Sequence, residues 1–289
     1  MAYINDNILL GAHTSISGGL DRALTRGKDL ECTTIQIFTK NQVRWFSPPI
    51  NEEKISLFKE KFFRYKQLKR VVAHASYLIN LASRDKEIEK KSIVSISFEI
   101  GISIRLGIGL YVLHPGFHVG IGAEEGIKRI SSKLKILTSE YGEDINICVE
   151  TMAGQGSSLG SNFEEISEIL DKAGGFGLGV CFDTCHVFSS GYDIRNREEY
   201  EKTMEDFDRV IGIKNLKVIH LNDSKGELGS GIDRHMHIGK GKIGIEAFKL
   251  IMNDLRFQGI PKIIETPKEK NPEKYDRMNL ELLRSLIND

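Results

Sequence analysis

A chain of 289 residues can bury a large core and fits either two ordinary domains or one barrel-type domain. Lysine plus arginine and aspartate plus glutamate both total 40, so the formal charge is zero and no whole-molecule field draws in a polyanion; nucleic-acid binding has to rest on a local basic patch or on bound cations. Four cysteines (Cys32, Cys148, Cys181, Cys185), three of them in apolar runs, favour buried thiols in a reducing cytoplasm over a disulfide framework, the N-terminal MAYINDNILL lacks the pattern of a signal, and no apolar run reaches membrane-spanning length.

Taken in order, short β-branched runs alternate with longer amphipathic ones. Ile8–Ile16 reads as a strand followed by a helix from near Gly19, Thr33–Thr39 by one from near Asn51, Arg70–Ala75 by one from near Arg84, and Leu110–His114 by one from near Ala123. Ile145–Thr151 is followed by a helix from near Asn162, Gly177–Asp183 by one from near Arg197, Leu216–Leu221 by one from near Gly244, and Lys262–Thr266 by one from near Pro272. The segment Lys90–Leu106 has enough isoleucine for a strand, but its length and the spacing of Ile93, Ile96, Ile100 and Ile104 predict a helix. Eight strand–helix units without a composition break or a Pro/Ser-rich linker predict an α/β protein, a (β/α)8 TIM barrel with residues 1–289 as a single domain.

Such a barrel carries its chemistry where strands end and the following loops begin. The first strand ends on His13, the third on His74, the fourth on His114 and the fifth on Glu150; the sixth ends with Asp183 and then His186, the seventh with His220, the eighth with Glu265. The stretch Val218–Gly241 adds Asn222, Asp223, Asp233, His235 and His237 as potential ligands, and in an extended Asp233-Arg234-His235 the acid and the imidazole point the same way. The nine donors His74, His114, Glu150, Asp183, His186, His220, Asp233, His235 and Glu265 form an imidazole and carboxylate set without thiolate, suited to zinc or manganese in a hydrolytic site; Cys181 and Cys185 lack zinc-knuckle spacing. They are too many for one ion and would serve three, at about three to four protein ligands each. Clusters of this kind act on phosphate esters: paired ions hold a bridging hydroxide at neutral pH and a further ion neutralises phosphate charge. Three dications against four carboxylates leave about two positive charges in an otherwise neutral protein, a focus for a phosphodiester.

The segments FTKNQ (38–42), HASYLINLA (74–82), LHPGFH (113–118), VETMAGQGSSLG (149–160), CFDTCHVFSSGYD (181–193), HLNDSKGELGSGIDRHMHIGKG (220–241) and IIETP (263–267) resemble those of endonuclease IV, the zinc-dependent apurinic/apyrimidinic endonuclease family, in that family's order and over essentially the whole chain. The resemblance implies a TIM barrel with three zinc ions that hydrolyses the phosphodiester 5′ to an abasic site in duplex DNA, leaving a 3′-hydroxyl and a 5′-deoxyribose phosphate. It implies one zinc on His74, His114 and Glu150, a second on Glu150, Asp183, His220 and Glu265, and a third on His186, Asp233 and His235, with Glu150 and Glu265 as catalytic carboxylates.

Lys40, Asn41, Gln42, Arg44 and Trp45 after the second strand and Tyr77 after the third are the candidates for presenting cations to phosphates and wedging side chains into a base stack. Members of the family this chain resembles can carry an inserted arginine at the position of Val43, whereas this chain has Arg44 one residue later and a valine that could still act as an apolar wedge. The Gly154–Ser158 loop offers backbone N–H groups to a phosphate, and His13, His118 and His237 are expected to support ligands or face phosphate. A monomer is expected, since the enzyme has to clasp a bulky duplex. Two other classes stay open. A metal-dependent sugar isomerase or epimerase on the same barrel would use Glu150, Asp183, His220 and Glu265 but not the further His74, His114, His186, Asp233 and His235; a non-catalytic nucleic-acid-binding derivative would predict a broken ligand set.

Overall fold

Eight parallel strands close into a barrel in a computed structural model that describes residues 8–288. They are β1 (Leu10–His13), β2 (Thr34–Phe38), β3 (Arg70–His74), β4 (Leu110–Leu113), β5 (Asn146–Glu150), β6 (Leu178–Asp183), β7 (Leu216–His220) and, after a hairpin of β8 (Asp223–Ser224) and β9 (His235–Met236), β10 (Lys262–Ile264). Each pairs in parallel with its neighbours, and β10 closes the ring between β7 and β1. Closure is tight at the first strand. A Cβ on Gly11 would sit 1.6 Å from the Thr34 carbonyl oxygen, so only glycine lets β1 and β2 approach here. All eight expected barrel strands are present, shorter at their ends than the apolar runs; residues 1–7, read above for a leader, lie outside the described residues.

The helices are α1 (Leu20–Asp29), α2 (Glu52–Arg64), α3 (Lys86–Leu106), α4 (Ala123–Tyr141), α5 (Phe163–Ala173), α6 (Thr184–Ser190), α7 (Arg197–Val210), α8 (Ile245–Asn253) and α9 (Pro272–Ser285). Their starts are written locally. Asn51, Asp85, Asn162, Asn196 and Asn271 each accept a first-turn backbone N–H, an arrangement worth about 1 kcal/mol per helix. The isoleucine-rich segment is helical, as its period predicts: Ile96 and Ile100 are buried and Gly107 ends α3 in the left-handed conformation. No helix among the described residues is long and apolar enough to cross a membrane. Two features escaped the pattern of eight units: the short α6, begun by Asp183, and the β8–β9 hairpin.

Strand pleating sets the site. Val72, Val112, Cys148, Cys181, Val218 and Ile263 fill the barrel interior as one apolar layer with Leu110. Two residues further along the same strands stand His74, His114, Glu150, Asp183, His220 and Glu265. Alternation with a period of two therefore stacks a polar layer directly on the apolar one, at the C-terminal mouth of the barrel.

Candidate metal centre

At that mouth three overlapping groups of donor atoms gather, each with all members within 4.8 Å of one another: His74, His114 and Glu150; Glu150, Asp183, His220 and Glu265; and Asp183, His186 and His235. Asp233 joins the last group, its Oδ1 lying 3.2 Å from His186 Nε2 and 3.8 Å from His235 Nε2. Glu150 is the hub. Its Oε2 is 3.2 Å from both His74 Nε2 and His114 Nε2, and its Oε1 is 3.0 Å from His220 Nδ1. All nine sequence-predicted donors are thus brought together, and most of them are buried. Cys181 also approaches Glu150 and His220; burial and then Glu150 push its thiol far up, which favours the protonated form.

The hydrogen bonds identify what belongs between these groups. A neutral imidazole donates from one nitrogen and presents a lone pair on the other. His74 Nδ1 donates to the Ala75 carbonyl at 2.7 Å, His186 Nδ1 to the Thr151 carbonyl at 2.8 Å, His235 Nδ1 to the Glu265 carbonyl at 3.1 Å, and His220 Nε2 to Gln36 Oε1 at 2.9 Å. In each ring the other nitrogen then faces carboxylate oxygens. A lone pair against an anion is repulsive unless a proton or a metal cation lies between them. His186 Nε2 and His235 Nε2 are buried, face carboxylate oxygens and make no hydrogen bond, which suits metal ligands. The donor set, its outward hydrogen bonds and these orphaned nitrogens fit divalent cations.

Electrostatics agree. Burial opposes charge on Glu150 and Glu265, yet the surrounding histidines, His220 foremost, hold both carboxyls well below the usual range. Burial likewise opposes the charged form of His220, but Glu265 and Glu150 raise it to about 9; Asp233, despite desolvation, is held down at about 2 by His186. The cavity thus strongly favours positive charge among its acids.

Residues outside the predicted set hold the ligands in place. Gln36, inward-facing on β2, donates to Glu265 Oε1 at 2.6 Å while accepting from His220. Asn222 donates to Asp183 Oδ2 at 2.7 Å and accepts the Glu265 backbone N–H at 2.8 Å. The other Asp183 oxygen caps α6 through the His186 N–H at 2.9 Å, so the strand ends on a ligand that also starts the helix carrying the next. Gln36 was readable only as a polar residue at an inward position of an otherwise apolar strand. His13, expected to support a ligand or face phosphate, stands beside the candidate ligand Glu265: Nδ1 is 2.8 Å from Glu265 Oε1, and burial pushes its pKa down.

Several expected site residues stand elsewhere. Asp223 turns into the hairpin, where its carboxylate accepts the N–H groups of Ser224, Gly241 and Ile243; a Cβ on Gly241 would lie 2.5 Å from that carboxylate. His237 lies past the end of β9 and stacks on Tyr275 of α9 at 5.0 Å, with Nδ1 beside Asn279, and His118 accepts the Gly122 N–H within its own loop; neither contacts the nine donors among the described residues. Lys40 is buried and paired with Glu99 at 3.0 Å, so it presents no cation to solvent. Gln155 uses its side chain, accepting the Asp233 N–H at 3.0 Å. By contrast Asn41, Val43 and Arg44 are exposed on the β2 loop, with Trp45 partly covered beside them. Tyr77 is 61% exposed on the next loop, its ring 6.3 Å from that of His114. Between the β1 and β10 loops a cleft of about 720 Å³ opens beside Glu265 and His235, lined also by Gln42 and Tyr77.

Comparison with known proteins agrees with this geometry. The profile of the xylose isomerase-like TIM barrel family matches residues 24–286. A Geotalea daltonii protein named "Probable endonuclease 4" is 48% identical over 280 residues, covering 96% of this chain and 98% of its own, and a Chloroflexus aurantiacus protein of the same name is 44% identical over 279 residues, covering 96% and 97%. The crystal structure of endonuclease IV from Thermus thermophilus superposes with a TM-score of 0.85 at 31% identity, covering 96% of this chain and 98% of that one. Identity on this scale, sustained from one end of the barrel to the other, exceeds what a shared fold requires: the chain belongs to the endonuclease IV family.

Proposed function

We propose that this endonuclease hydrolyses the phosphodiester on the 5′ side of an abasic site in duplex DNA, leaving a 3′-hydroxyl and a 5′-deoxyribose phosphate, with three divalent ions of which zinc is the expected species. One observation carries the reading: His74, His114, His186, Asp233 and His235 stand around the four-residue group Glu150, Asp183, His220 and Glu265, giving donors for more ions than sugar isomerisation uses. His74, His114 and Glu150 would hold one ion, Glu150, Asp183, His220 and Glu265 a second, and His186, Asp233 and His235 the third. When bound, the ions supply a water-derived nucleophile at neutral pH and neutralise charge on the phosphate.

The chain's own part is to prepare that site. Glu150 and Glu265 remain ionised at neutral pH because the imidazoles around them depress their pKa, so no proton competes for the ligand oxygens. Gln36, Asn222 and the backbone carbonyls of Ala75, Thr151 and Glu265 fix ring tautomers and carboxylate orientations. Asn41, Gln42, Val43, Arg44 and Tyr77 on two adjacent rim loops would meet the duplex and unstack the lesion. Residues 1–289 would act as one domain and one monomer, and four unpaired buried cysteines suit a reducing cytoplasm.

The test is metal content by atomic emission together with cleavage of a duplex carrying one abasic site, before and after chelation. About three metals per chain and a 5′ nick lost on prolonged chelation support the reading. One or two metals, no nick and isomerisation of a sugar would transfer the chain to the epimerase reading.

A further inference from the structure

Lys40 sits on the first loop expected to touch DNA, yet its ammonium is turned inward and only 2% of its side chain is exposed. Every proton on it is used: Nζ donates to the Arg44 carbonyl at 2.6 Å and to Ser76 Oγ at 3.1 Å, and pairs with Glu99 Oε1 at 3.0 Å. Glu99, from the buried face of α3, is satisfied as fully. It accepts the Ser76 N–H at 3.0 Å, Ser76 Oγ at 2.8 Å, Ser95 Oγ at 3.1 Å and the Tyr111 hydroxyl at 2.8 Å. A buried ion pair with this many partners is a specific and rigid arrangement, since moving either charge strands the other away from water.

What the network joins gives it a role. Arg44, whose carbonyl Lys40 holds, closes a turn in which its own N–H bonds to the Asn41 carbonyl at 3.2 Å and the Val43 N–H bonds to Asn41 Oδ1 at 3.0 Å. The turn carries Val43 outward, 67% exposed. Ser76, held by both partners, lies in the loop that follows β3, two residues after His74 and immediately before the exposed Tyr77. We propose that Lys40 and Glu99 are positioning residues that lock the β2 and β3 rim loops together, so that Val43, Arg44 and Tyr77 meet the duplex as one preformed surface. The inference rests on the DNA-cleaving reading above. It makes binding, and not the metal chemistry, the step that depends on the pair, because a loop ordered in advance loses less entropy on contact.

Trp45 is the chain's one tryptophan and lies on the locked loop, so its fluorescence reports the lock without any reaction. In the unmutated protein its time-resolved anisotropy should decay only with overall tumbling, and a fast local decay overturns the proposal. Lys40→Met alone leaves Glu99 buried without its cation, so the working variant is the double substitution Lys40→Met/Glu99→Gln, which removes both charges and keeps an acceptor for the Ser76 N–H. It should retain its metals and its melting behaviour, gain local Trp45 motion, and show KM for the abasic duplex raised about tenfold with kcat within about twofold. An unchanged KM, with Trp45 either loosened or fixed, overturns the proposal. An unmutated protein that cleaves no abasic duplex overturns the functional reading instead, and the Trp45 measurements then decide the lock on their own.

Discussion

Gln36, near the start of the sequence, joins two candidate metal ligands from its C-terminal part: its Oε1 accepts from His220 Nε2 at 2.9 Å and its Nε2 donates to Glu265 Oε1 at 2.6 Å. One neutral amide thus sets the tautomer of an imidazole and the orientation of a carboxylate. Gln36→Leu, close in volume but unable to make either bond, should weaken metal retention by about 10–100-fold while leaving the barrel folded. Competition against a chromogenic chelator measures it. Equal retention by the variant would show that the two ligands are oriented by something else.

His114 and Glu150 both belong to the first donor group, but Glu150 also belongs to the second. His114→Ala should therefore release metal from one position, and Glu150→Gln from two. Both should lose at least about a hundredfold in cleavage. The histidine is on the rim with 24% of its side chain exposed, so its removal should cost only about 1 kcal/mol of stability. Metal analysis of the two purified variants distinguishes them, and equal losses would rule out a shared place for Glu150 between two ions.

The barrel and the ligand ring were legible because both follow from a period of two. An apolar residue facing inward and a donor two positions later recur as Val72 and His74, Cys148 and Glu150, Cys181 and Asp183, Val218 and His220, Ile263 and Glu265. The resemblance added an expectation that this pattern lacks, namely which donors would share an ion. Lys40 was misread for a definite reason: a lysine in a polar loop reads as solvent-facing, and nothing near it in sequence announces Glu99 waiting beneath on α3. His237 and His118 stand away from the nine donors, the first against Asn279 and Tyr275 of α9 and the second within its own loop, contacts that spacing does not encode. The α6 helix and the two-residue strands β8 and β9 are too short to show a period at all; Asp183 caps the first, and the Asp223 carboxylate ties the hairpin to the backbone of Gly241 and Ile243.

Tyr77 tests the rim separately from the metals. Its ring packs 5.4 Å from that of Phe38 and 6.3 Å from that of His114 while most of it remains exposed, and partial desolvation, helped by Glu265 and Glu150, pushes the phenol up to about 12. It is therefore neutral wherever the enzyme works and can act only by stacking and hydrogen bonding. Tyr77→Ala should lower affinity for an abasic duplex about tenfold, the worth of one aromatic contact with a base. Titration of labelled duplex alongside metal analysis measures it. Loss of metal with unchanged DNA affinity would assign the ring to the ligands.

Lys262 opens β10 at the far end of the barrel, buried, with Nζ donating to the Phe257 carbonyl at 2.8 Å. Burial pushes its pKa from 10.5 down to about 8, against a smaller upward pull from Asp254. Below pH 8 both the folded and the unfolded chain hold the proton, and folding bears the full cost of burying the charge. Between about 8 and 10.5 the unfolded chain binds more protons than the fold, so this contribution to stability rises with pH; above 10.5 both forms are neutral and the cost is gone. The shift corresponds to about 3 kcal/mol, and removing the amine forfeits about 1 kcal/mol for the carbonyl left unpaired. Lys262→Met should accordingly be more stable than the unmutated protein by about 2 kcal/mol at pH 7, and the advantage should vanish or reverse by pH 10.5. Urea unfolding of both proteins across that range gives the difference directly, since the buried thiols, which titrate alike in the two, cancel. A gap independent of pH would mean that Lys262 keeps its ordinary pKa and that the N-terminal end of the barrel admits water to it.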